Sequence, residues 1–312
     1  MIRARLPGFC NCTRSLVVTL SLAAASLLAL SAAGGHQSFP VGDSPHGLAF
    51  DGANIWVANF DEDTVTKLRA SDGALLGTFP AGETPNELAF DGANIWVTNE
   101  FGPTVTKLQA RDGANLGTFS VDPYPDGILY DGAYIWIASV ASGTITKLRP
   151  SDGAIVAAFH SVSYPAKLAY DGVNLWISSS VNAIVAKMRT NDGILLGVFP
   201  VGTYPEDVLF DGANIWVANR ADDTVTELQA SDGMLLATYT ADDGPGRLAF
   251  DGTNVFVTCS YSDSLVRLRA RNGAFRIQKV EDFPGDVLFD GTAVWVANQG
   301  SDTVDKITAG QP

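Results

Sequence analysis

An all-β, seven-bladed β-propeller of four-stranded antiparallel blades is the fold that this sequence predicts, on three observations. The dipeptide Asp-Gly recurs at Asp51, Asp91, Asp131, Asp171, Asp211, Asp251 and Asp290, at intervals of 40 residues with a last interval of 39. Five residues after each Asp stands an aromatic residue, Trp56, Trp96, Trp136, Trp176, Trp216, Phe256 and Trp295, which uses all six Trp in the chain. A Pro opens every unit, at Pro45, Pro85, Pro125, Pro165, Pro205, Pro245 and Pro284. A period of about 40 residues is that of a propeller blade, and a β-helix needs a shorter one.

The elements follow in chain order. Residues 1–14 carry Arg3, Arg5 and Arg14 without an acid, an apolar run extends from Ser15 to Leu30, and Ser31-Ala32-Ala33 follows. A basic start, an apolar centre and small closing residues describe a secretory signal peptide, with cleavage near Ala33. The run of 16 residues is short for a membrane span, which needs about 20. Residues 34–312 are then one propeller domain. Its first unit reads as four strands. Gly47 to Phe50 turns at Asp51-Gly52 into Asn54 to Ala58, and the turn is expected to need positive φ at both central positions. Thr64 to Leu68 turns at Asp72-Gly73 into a fourth strand that reaches Pro80. Proline lacks a ladder donor, so the fourth strand, with Pro40, Pro80 and Pro200, belongs at the outer edge. The last unit stops after its third strand, Thr303 to Ile307, while Ser38-Phe39-Pro40-Val41 precedes the first unit and matches the missing strand. The N-terminal strand is expected to complete blade seven and close the ring.

The chain has 312 residues and a formal charge of −14, from 20 Lys+Arg and 34 Asp+Glu. Removing the leader takes the charge to −17 and leaves Cys259 as the lone cysteine, which reads as a small buried filler with no disulfide partner. Net acidity argues against nucleic acid as a partner. No P-loop, nucleophile elbow or zinc spacing is present.

The units Ile95-Trp96-Val97-Thr98-Asn99, Trp56-Val57-Ala58-Asn59 and Trp216-Val217-Ala218-Asn219 resemble the YVTN motif of bacterial YVTN-type β-propeller repeat proteins, with Trp where Tyr is usual. The resemblance covers roughly residues 38–308 and implies an exported or surface-associated propeller. A more distant likeness is to streptogramin lyase, another seven-bladed propeller. That enzyme's chemistry depends on His and Glu with magnesium. This chain has only His36, His46 and His160, so the likeness stops at the scaffold.

Positions that vary between copies are not required by the blade, and they concentrate after each Pro. These residues, at the start of the innermost strands, are expected to ring the channel mouth: His46, Asn86 and Glu87, Asp126, Lys167, Glu206 and Asp207, Arg247, and Asp286. They read either as a polar ligand site or as solvated charges around a water-filled hole. Tyr124, Tyr164 and Tyr204 precede three successive Pro. They read either as an arc that stacks on a sugar or peptide or as rings packed on their own Pro. Phe60, Phe101 and Tyr261 extend an apolar surface from neighbouring loops. The expected function is an exported binding or protein-interaction scaffold for a protein, peptide or carbohydrate, without a cofactor and without stable membrane insertion. The alternative is a metal-dependent lyase or lactonase with a divalent cation on the axis.

Overall fold

The computed structural model describes residues 35–308. The leader expected at residues 1–33 lies outside the described residues. Seven four-stranded antiparallel sheets succeed one another along the chain. Blade 1 runs Pro45–Phe50, Asn54–Asn59, Thr64–Arg69 and Leu75–Pro80, each strand pairing with the next. Blades 2 to 6 repeat this order. Blade 7 takes three strands from the C-terminal end, Pro284–Phe289, Ala293–Asn298 and Thr303–Thr308, and its fourth, His36–Pro40, from the N-terminal end. His36 pairs with Ile307 and Pro40 with Thr303, so the predicted ring closure is observed.

The first turn differs from the sequence expectation. Asp51 N donates to Asn54 O, which makes Gly52 and Ala53 the two central residues, and only Gly52 has positive φ, at 95°. That geometry belongs to a II′-type turn, with glycine at its first central position. The Asp precedes the reversal and has other work. Its Oδ1 accepts the amides of Ala53 and Asn54, and its Oδ2 accepts Trp56 Nε1 at 2.9 Å. The same Asp–Trp bond recurs in blades 2, 3, 4, 5 and 7. Sequence spacing paired these two residues without saying that they touch.

The core lies between sheets. Trp56 of blade 1 packs in one cluster with Ile95, Val97 and Leu108 of blade 2, and Trp295 of blade 7 joins Ile55, Val57 and Leu68 of blade 1. A Lys on the third strand of blades 1, 2, 3, 4 and 7, buried in all of these but blade 3, adds a polar staple. Lys67 Nζ lies 4.8 Å from the Trp56 ring centroid and donates to Ala110 O of the next blade at 2.6 Å. Lys306 does the same across the closure, to Ala70 O. In blade 5 the position holds Glu227, which instead accepts from Tyr239 Oη and Asn214 Nδ2, both at 2.8 Å. Cys259 is fully buried, as expected for a filler.

One buried acid lies at the closure. Asp305 is fully buried at a position where blades 1, 2, 3 and 5 hold Thr66, Thr106, Thr146 and Thr226, and its counter-charge is His36, whose Nε2 lies 2.8 Å from Oδ2 without hydrogen-bond geometry. A buried group stripped of its partner costs about 1–3 kcal/mol. His36→Ala is therefore expected to lower unfolding stability by about that amount. Asp305→Thr added to that variant should recover most of the loss in a denaturant titration.

Candidate functional site

The mouth is built by a backbone device that repeats seven times. The residue before each Pro, namely Ser44, Thr84, Tyr124, Tyr164, Tyr204, Gly244 and Phe283, has positive φ. Six of these are not glycine, so the conformation is strained and is held by its surroundings. In that geometry its carbonyl accepts the amide of the first residue after the Trp-bearing strand. The pairs include Ser44–Phe60, Thr84–Glu100, Tyr124–Val140, Tyr204–Arg220, Gly244–Ser260 and Phe283–Gln299. Two variable positions per blade are thus pinned side by side at the same rim.

Each blade contributes one aromatic ring to that rim: Phe60, Phe101, Tyr124, Tyr164, Tyr204, Tyr261 and Phe283 in order. Phe60 stacks on His46 at 4.3 Å, Phe101 meets Phe60 at 5.9 Å, and Tyr124 meets Phe101 at 5.9 Å. Tyr261 meets Phe283 at 6.2 Å and carries the Arg220 guanidinium 5.0 Å above its ring. Tyr124, Tyr164 and Tyr204 remain 47, 50 and 43% exposed at the rim.

Below the rim the charges are mostly buried and paired with one another. Lys167 is 5% exposed. Its Nζ reaches Asp126 Oδ1 at 2.5 Å and Glu87 Oε1 at 2.8 Å. The same Glu87 oxygen takes Arg247 Nη2 at 3.1 Å. Asn86 donates to Asp126 at 2.9 Å, and its Oδ1 lies 3.2 Å from His46 Nδ1. His46 therefore pairs with Asn86. Burial, helped by the Arg247 and Lys167 charges, holds it below the ordinary imidazole value. Burial alone would push Asp126 up, but Lys167 and Arg247 outweigh it and hold the carboxyl below the usual range. Lys167 shows the converse: burial and Arg247 pull it down, and Asp126 with Glu87 leave it raised.

Asp207 and Asp286 belong to the wall. Asp207 Oδ2 accepts Leu248 N of blade 6 at 2.9 Å, and Asp286 Oδ2 accepts Leu48 N of blade 1 at 2.7 Å across the closure. Burial raises Asp207 to about 6, and burial with Glu87 nearby raises Asp286 to about 8. Both values exceed that of an unfolded Asp, about 3.9, so the native state holds protons that the unfolded chain has released. Their contribution is fully present below pH 4 or so and is lost as pH rises towards about 6 and about 8. The guanidinium midpoint is expected to be lower at pH 8 than at pH 5, with a smaller drop in Asp286→Asn.

The remaining groups enclose a cavity of about 260 Å³ lined by His46, Asn86, Asp126, Glu206 and Arg247, and by Glu100, Arg220, Ser260, Gln299 and Phe283. Sequence reasoning missed Glu100, Arg220, Ser260 and Gln299. The signal was available, because the residue after the Trp strand is Phe60, Glu100, Val140, Ser180, Arg220, Ser260 and Gln299 in the seven copies and varies as freely as the residues after Pro. Among the described residues, no group of three or more His, Cys, Asp or Glu side chains is placed to hold a metal ion. The carboxylates meet lysine, arginine and backbone amides, which does not fit an axial divalent cation.

A seven-bladed propeller with a charged, aromatic-rimmed mouth is thus the class that fold and site define. Solved structures similar to it include virginiamycin B lyase from Staphylococcus aureus, with TM-score 0.77 and 18% identity over 88% of this chain and 99% of that one. A streptogramin B lyase structure is similar at TM-score 0.76 and 18% identity, over 88% and 97% of the two chains. Hydrazine synthase of Kuenenia stuttgartiensis is similar at TM-score 0.77 and 18% identity, over 86% and 96%. At this identity the likeness establishes the scaffold, and function must be argued from the site. No protein-family model and no curated protein matches the sequence.

Proposed function

We propose that this protein is an exported propeller of the YVTN repeat type that binds a ligand or partner at its channel mouth. The observation that carries the reading is the rim: seven aromatic rings, one from each blade, around a cavity of charged side chains. Exposed aromatics over a polar well are the arrangement by which binding sites combine contact area with orientation. Positive φ at Tyr124, Tyr164, Tyr204 and Phe283, four of the seven ring positions, supports it. Export rests on the leader read at residues 1–33. The lyase names among the structural neighbours bring no metal site to this chain.

The test uses glycan and peptide arrays probed with the purified protein and with a Tyr124→Ala, Tyr164→Ala, Tyr204→Ala variant. The variant is expected to melt cooperatively and to lose at least about tenfold in retention of whatever the native protein binds, about 1.4 kcal/mol. Unchanged retention removes the rim from function, and an unfolded variant makes the three rings structural. Fusion of residues 1–33 to a reporter that is active only outside the cytoplasm checks export.

A further inference from the structure

The cavity is under-satisfied at two ends in opposite senses. On blades 5 and 6, Arg220 Nε and Arg247 Nη1 are buried and have no hydrogen-bond partner. Glu206 stands beside them as a counter-charge, but at 3.6 Å from Arg220 Nη1 and 3.8 Å from Arg247 Nη1 it is beyond hydrogen-bonding reach. On blade 2, Glu100 lines the same cavity with no hydrogen bond to its side chain. It is raised by burial and then by the neighbouring Asp126 charge. Glu100 lies three blades from both arginines, the largest separation a ring of seven allows. One end lacks acceptors; at the other, Asp126 already takes Lys167 and Asn86, and the Glu100 carboxylate is the group without a protein donor.

A ligand that answers both ends must carry an anionic acceptor and a cationic donor. A simple cation leaves the buried guanidinium nitrogens without an acceptor. A simple anion meets the guanidiniums and faces Glu87, Glu100, Asp126 and Glu206. The distance between the ends limits the ligand's length. Arg247 reaches Glu87, Glu87 reaches Lys167, and Lys167 reaches Asp126, in contacts of 3.1, 2.8 and 2.5 Å. Arg247 and Asp126 are therefore no farther apart than three hydrogen-bond lengths, the span of one small molecule bonded on both sides. The cavity of about 260 Å³ is also below the range of about 300–1,000 Å³ that drug-sized ligands occupy.

Building on the binding reading above, we propose that the mouth takes a free α-amino acid as a zwitterion. Its carboxylate lies on Arg220 and Arg247, its ammonium between Glu100 and Asp126, and its apolar side chain against Phe283. Both polar ends then make charge-assisted hydrogen bonds, the stronger kind in a partly desolvated site. Phe283 and the adjoining Tyr261 supply the apolar wall.

The experiment is calorimetric titration of the purified protein with L-phenylalanine. The other arms are phenethylamine, which lacks the carboxylate, 3-phenylpropionate, which lacks the ammonium, glycyl-phenylalanine, whose charges are farther apart, and methyl α-glucoside, which is neutral. Phenylalanine is expected to bind at one site, and every other arm to bind at least about tenfold more weakly. Glu100→Gln and Arg220→Gln should each weaken phenylalanine binding about ten- to a hundredfold, with the thermal melt unchanged. The proposal is overturned by no phenylalanine binding, by an analogue, dipeptide or glucoside that binds as well, or by variants that bind normally. Absent phenylalanine binding with Tyr-dependent retention on the arrays intact defeats the zwitterion and leaves the binding reading standing. Loss of both defeats both.

Discussion

Trp96→Ala is expected to destabilise the protein by about 3–5 kcal/mol, the range for emptying a large aromatic site in a core. The ring is fully buried between blades 2 and 3, lies 5.5 Å from Phe119, and has Lys107 Nζ 5.1 Å from its centroid. Its Nε1 donates to Asp91 at 2.8 Å, so the alanine also strips a partner from a carboxylate that shapes the turn. Burial raises Asp91, but the bonds from Trp96 and Asn94 and the amides of Ala93 and Asn94 outweigh it and leave the carboxyl lowered. That contribution is present above the unfolded value of about 4 and is lost as pH falls through the lower native value. Blade 6 is a natural control: Phe256 stands at the Trp position, 4% exposed, and Asp251 bonds the Asn254 side chain instead. Trp96→Phe should therefore cost well under half as much as the alanine. Denaturant unfolding of the two variants, at pH 7 and again at pH 4, checks both statements, and equal losses for Phe and Ala would refute the first.

Lys167→Met is the second large expected effect, again about 3–5 kcal/mol. Lys167 is the cation shared by Glu87 and Asp126, which are themselves mostly buried. Methionine fills similar volume, so the loss is electrostatic: two carboxylates are left facing each other, with Arg247 in contact with only Glu87. Breaking one partner of a buried pair is costly, whereas neutralising the whole group is much less so. Adding Glu87→Gln and Asp126→Asn to Lys167→Met should return most of the lost stability. If the triple variant is no more stable than Lys167→Met, packing of the lysine stem is what matters. The single variant should also raise the Asp126 pKa, visible as a shift of its carboxyl resonance with pH.

Blade number, strand order, outer edges and closure were all legible in the sequence. Each is a local signal repeated in register: a turn dipeptide, an aromatic five residues on, a Pro that must sit where no ladder donor is needed. Pro40 and Ser38-Phe39 were recognisable as the missing strand for the same reason. The turn type is not legible from the Asp-Gly dipeptide, because the hydrogen bond from Asp51 N to Asn54 O moves the reversal one residue on. The Trp partner of each Asp was equally local and was missed because side-chain reach is not part of a periodic pattern.

The 40-residue period puts the candidate residues at the same strand position in every blade, and His46, Asn86, Asp126, Glu206 and Arg247 among them line one cavity. The period does not give their contacts. Asp207 and Asp286 turned inward onto backbone amides of the next blade, while Glu100 and Arg220 came up beside the rim through a carbonyl two strands away. A repeat specifies what each blade is, because its strands and turns are made by residues close in the chain. It does not specify which side chains meet across a closed ring. Lys167 reaches Glu87 two blades behind it and Arg247 reaches the same oxygen from three blades away. Those contacts exist only once seven sheets have closed on a common axis, where distance along the chain no longer predicts distance in space.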